Sequence, residues 1–120
     1  MASLKENAIT KLSTTTGVDM KTAAATTLYT VPAGKTAIIT HVVVRNTSAS
    51  LDGGTDYDFT TWRQTVDLSS MTTASTDYMV ITGDEVKFTV QVAGTAFQIT
   101  VSTGSTAACT ATIDVFGYLV

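Results

Sequence analysis

Leu28-Tyr29-Thr30-Val31-Pro32-Ala33-Gly34-Lys35-Thr36 runs directly into Ala37-Ile38-Ile39-Thr40-His41-Val42-Val43-Val44-Arg45-Asn46. The first part alternates and then stops at the only proline of the chain, which has no N–H to give to a ladder. Proline at the second position and glycine at the fourth predict a type I turn over residues 31–34. The second part is the longest apolar run, and its β-branched side chains make residues 36–47 a long strand. Simple alternation puts Ile38, Thr40, Val42 and Val44 on one face and Ala37, Ile39, His41, Val43 and Arg45 on the other. Both faces are rich in apolar groups, unlike those of a strand with one side in water.

The segments around it extend the β pattern. Residues 86–92 and 97–102 alternate strictly, and Ala93-Gly94-Thr95 between them predicts a hairpin. Residues 57–62 and 78–81 read as strands, separated by the turn-rich 48–54 and the polar 69–76. Residues 108–120 form a terminal strand with Ile113, Val115, Gly117 and Leu119 opposite Asp114, Phe116, Tyr118 and Val120, again apolar on both sides. About seven or eight strands in one domain imply an all-β antiparallel sandwich or small barrel.

Residues 1–27 look different. Ser3 and Glu6 have capping-box spacing, and Leu4, Ala8, Ile9 and Leu12 would share one face of a short helix. A threonine-rich leader follows, so the division expected is an N-terminal arm over 1–27, held by packing, and a sandwich over 28–120.

Composition narrows the function. Charged residues make up 14% of the chain, against the usual share of about 25%. Threonine, about a fifth of the residues, takes their place on solvent faces. A net charge of −3 with seven scattered basic residues argues against a nucleic-acid groove. The single Cys109 permits no internal disulfide. The start shows no basic segment followed by an apolar one, and no run approaches a membrane span. The chain is expected to be soluble and to need no cofactor.

Chemistry has few candidates. Asp52, Asp56 and Asp58 lie close in sequence, but their spacing is not that of an EF-hand and the closing glutamate is missing. His41 is the only histidine, so a hydrolase would have to work through it. No phosphate loop or nucleophile elbow is present. Tyr57, Asp58 and Trp62 form an aromatic and acidic cluster that would suit a sugar, which makes a carbohydrate-binding module the rival reading.

Residues 28–37 with Val42-Val43-Val44-Arg45-Asn46-Thr47 resemble the opening of small β-sandwich structural proteins of tailed bacteriophage virions. Ile113-Asp114-Val115-Phe116-Gly117-Tyr118-Leu119-Val120 is similar to the closing strand of trimeric jelly-roll heads of the complement and tumour-necrosis-factor type. The resemblance implies a jelly-roll virion protein, a capsid decoration or cement protein with a head fibre or tail component close behind. It also implies a homo-oligomer, typically a trimer, attached to the major capsid protein or another virion protein after assembly in the host cytoplasm. Since a sandwich sheet has one inner face, the surplus apolar faces call for a cover. The expected contacts are Leu4, Ile9, Leu12, Ile39, His41, Val43, Arg45, Phe116 and Tyr118.

Overall fold

The structure is a computed structural model that describes residues 9–60, 62–83 and 90–120. Its strands are β1 (Thr10–Asp19), β2 (Ala25–Thr30), β3 (Ala37–Arg45), β4 (Asp56–Phe59), β5 (Arg63–Val66), β6 (Tyr78–Thr82), β7 (Val90–Gln91), β8 (Ala96–Thr103) and β9 (Thr110–Leu119). All pair antiparallel. One sheet has the order β1-β9-β3-β6, with β7 also on β3, and the other has the order β2-β8-β4-β5. The two pack face to face as the sandwich that the alternation predicts, and the chain crosses between them repeatedly. Ile39, Val42, Val44, Ile113 and Val115 from the first sheet meet Leu28, Tyr57, Phe59, Phe97, Ile99 and Val101 from the second in one core.

Four expectations change. Residues 1–8 lie outside those described, but Thr10, Lys11 and Leu12 belong to β1, so no helix runs through them. The threonine-rich leader pairs along β9 from Thr10–Gly117 to Asp19–Thr110 and supplies an edge of the sandwich. β-branched side chains favour that pairing, whereas a short isolated helix is marginal. Ser13 and Thr15 turn inward and donate their hydroxyls to the Leu28 carbonyl at 2.8 and 3.4 Å, which joins the two sheets at this edge.

The second change concerns β3. Its register with β9 jumps between Ile39 and His41, so Thr40 is an extra residue that reverses the alternation. Ile39 therefore points inward with Val42 and Val44, while Ile38 points outward with His41 and Val43. Gly117 pairs with Ile39 beside this bulge, where the Ile38 backbone passes so close that no side chain would fit.

Third, the described part of the predicted hairpin does not pair as one. Residues 84–89 lie outside those described, and β7 and β8 belong to opposite sheets. The turn at Gly94 (φ 82°) carries the chain across instead. Fourth, the turn after β2 closes one residue later than predicted, through Lys35 N–H to the Pro32 carbonyl at 3.2 Å. Gly34 (φ 73°) takes its third position, the left-handed site of a type II turn. These two turns are tied together by Val31 N–H to the Thr95 carbonyl and Gly94 N–H to the Val31 carbonyl, both at 3.0 Å.

Candidate assembly face

The outer faces of the two sheets have opposite characters. Across the first sheet, pairing aligns Thr82, His41, Phe116 and Lys11 in one row and Val80, Val43, Asp114 and Thr14 in the next. Tyr78 pairs with Arg45 at one end, and Ile38 pairs with Tyr118 at the other. Ile38, Val43, Phe116 and Tyr118 are half-buried, while Tyr78 and Val80 on β6 are 69% and 50% exposed. An apolar surface therefore lies open over the middle of this sheet.

His41 and Phe116 stack in its centre, with ring centroids 4.5 Å apart and planes 8° from parallel. Thr40 Oγ1 lies within hydrogen-bond distance of both the Phe116 carbonyl, at 3.2 Å, and His41 Nδ1, at 3.1 Å. These bonds fix the imidazole as part of a flat surface.

Charge on this face is neutralised locally. Arg45 Nε donates to Asp114 Oδ2 at 2.7 Å, and Thr14 Oγ1 donates to Oδ1 at the same distance. Burial pushes the Asp114 carboxyl up, but the bonds from Arg45 and Thr14, with the charges of Arg45 and Lys11, outweigh it and hold the group below the ordinary range. The bond to Asp114 and its charge raise the Arg45 guanidinium further. The pair stays ionised at neutral pH, and Lys11 is left as the unbalanced charge of the two rows.

The second sheet turns a polar face outward. Gln98 Nε2 donates to Thr27 Oγ1 at 3.0 Å, and Thr100, Ser102, Asp56 and Asp58 complete the surface. Asp58 accepts from Thr65 N–H at 2.7 Å and from the Ser102 hydroxyl at 3.0 Å. The first of these bonds holds Thr65, a β-branched residue at φ 56°, in the left-handed region. Thr65 N–H chiefly lowers Asp58, while burial and then the charge and hydrogen bond of Asp58 raise Asp56. A carboxyl raised by folding adds stability below its unfolded pKa and subtracts it as pH rises through the folded value. Asp56→Asn is therefore expected to raise the melting temperature at pH 7 and to lose that gain at pH 3.5, as followed by circular dichroism.

The other sequence candidates fall in several places. Ile39 is in the core and is withdrawn from the contact set; Leu4 lies outside the described residues. Ile9 is exposed, and Leu12 is half-buried against the core. His41, Val43, Arg45, Phe116 and Tyr118 come together on the outer face. The sugar platform is not formed. Tyr57 is buried and its hydroxyl, which donates to the Met20 carbonyl at 2.8 Å, is pushed up to about 12 by burial first and then by Cys109. Trp62 is buried and donates its indole N–H to the Ile39 carbonyl at 3.1 Å. Asp58 alone of the three stays near the surface, occupied by its structural bonds.

Cys109 is a buried free thiol 3.3 Å from the Ala49 carbonyl. Among the described residues, no group of three or more His, Cys, Asp or Glu side chains converges to hold a metal ion. Tyr78 and Val80, the most exposed part of the apolar face, went unrecognised in the sequence. Their signal was the alternation of 78–81, whose two faces are both apolar. No family model, curated protein or solved structure matches the chain.

Proposed function

We propose that this protein is a non-enzymatic structural component of a bacteriophage particle, a capsid decoration or cement protein that acts by binding energy alone. The resemblance, which covers about residues 28–47 and 78–120, supports the virion context. The sheet order β1-β9-β3-β6 over β2-β8-β4-β5 supports reading the sandwich as a jelly roll, with β7 as an addition. One observation carries the mode of action: the outer face around Val43, Val80, Phe116 and Tyr78 is apolar, and its counterpart on the other sheet is polar. Apolar burial contributes about 25 cal/mol per Å², so covering a few such side chains adds several kcal/mol to an association. The partners on this reading are copies of the chain itself and the major capsid protein or another virion protein.

Val43→Asp puts a charge into the middle of the covered face and is expected to weaken association at least about 100-fold. Light scattering at micromolar concentration should show an assembly for the natural chain and a folded monomer for the variant. Particles imaged with and without the protein test the virion role. Capsids that lose genome in its absence support cementing. Intact capsids that fail to adsorb support a tail or fibre component instead.

A further inference from the structure

We infer that the partner on the outer face of the β1-β9-β3-β6 sheet is the same face of a second copy, related by a two-fold axis near Val43. The inference rests on the assembly reading above and names its partner. Four strands about 4.8 Å apart and about nine residues at 3.3 Å each give a footprint of about 20 by 30 Å. That is about 600 Å² before side-chain relief, which brings it close to the ~800 Å² each partner contributes to a standard interface.

Charge selects the same partner. An oppositely charged protein would need a charged patch to meet, but Arg45 and Asp114 cancel each other here, leaving only Lys11 across the rows. Asp56 and Asp58 sit on the opposite sheet, so two copies meeting face to face keep these carboxylates apart. The apolar elements are also arranged for self-matching. The His41–Phe116 stack and Val43 occupy the centre, with Val80 and Tyr78 toward one edge, so a two-fold rotation sets apolar on apolar and puts residue 43 opposite its own copy. The packing is that of two sheets in a sandwich, repeated between molecules. With its axis along the Val80–Val43–Asp114–Thr14 row, across the strands, the pair sets β6 on β6, and this two-fold unit replaces the trimer implied by the resemblance.

Charge exchange at the axis tests this. Val43→Asp and Val43→Lys, each folded by near-ultraviolet circular dichroism, should sediment as monomers, and their equimolar mixture should restore a two-chain species within about tenfold of the natural affinity. Val80→Asp, on an edge strand that already exposes this side chain, should weaken association at least tenfold without loss of fold. A natural chain that associates but whose Asp and Lys variants do not rescue one another overturns the two-fold geometry and leaves the assembly reading standing. A natural chain that stays monomeric, with all variants unchanged, overturns both.

Discussion

Gly117→Ala is expected to cost about 3 kcal/mol or more and to lower the melting temperature by about 10 °C. The added Cβ would meet the Ile38 carbonyl, with the Ile38 carbonyl carbon and the Ile39 Cα close behind. Those are backbone atoms in the middle of β3, so no rotamer change relieves them. Either β9 separates from β3 or the bulge at Thr40 moves, and moving it would turn the outward residues of half the strand into the core. Gly94→Ala is the control. A Cβ there meets nothing within 4 Å, so only the left-handed backbone is penalised, at about 1–2 kcal/mol. Thermal melts of both variants check the prediction; a Gly117→Ala protein that melts within 2 °C of the natural chain would mean that the two central strands do not approach this closely.

Trp62→Ala is expected to remove about 3–5 kcal/mol, a large share of the stability of a domain whose total lies in the range of about 5–15 kcal/mol. Trp62 packs edge-on to Phe59 and Phe97, with ring centroids 5.6 and 5.8 Å away. It hangs from the β4–β5 connection yet reaches the Ile39 carbonyl on the opposite sheet. Truncation opens a cavity and leaves that carbonyl unpaired, two losses that add. Trp62→Phe keeps most of the packing and should cost about 1–2 kcal/mol, mainly for the lost hydrogen bond. Urea unfolding separates the two variants. The result also bears on the sugar-binding rival, because a ligand lost in Trp62→Ala would report a damaged core rather than a missing contact.

The sandwich was legible because Val42-Val43-Val44, Phe97-Gln98-Ile99 and Ile113-Asp114-Val115 have periods that only strands satisfy. The excess apolar face was legible for the same reason, since Val43 and Phe116 sit where alternation sends them away from the core. Thr40 was not. A bulge depends on where the partner strand places Gly117, and nothing local to residues 37–45 distinguishes an extra residue from a regular one, so Ile38 and Ile39 were assigned to each other's faces. Gly117 itself was the available signal, because a glycine inside a strand often marks close backbone approach. Residues 10–19 misled in a related way: their threonines suit a strand, but the strand exists only through β9. Tyr57 and Trp62 entered the rival sugar-binding reading only through their closeness in sequence to Asp58, and the acceptors that hold them in the core, the carbonyls of Met20 and Ile39, come from distant parts of the chain.

The position of β9 between β1 and β3 has a consequence for biosynthesis. Asp114 meets Arg45 across 69 residues and Thr14 across 100, so the middle of the larger sheet is woven from widely separated parts of the polypeptide. While translation proceeds, Ile39, Val42 and Val44 emerge long before the ribbon that will flank them, and contacts so remote in sequence form slowly. The nascent molecule therefore carries its stickiest stretch unprotected for most of its synthesis, the interval in which it is most exposed to aggregation and to chaperone capture.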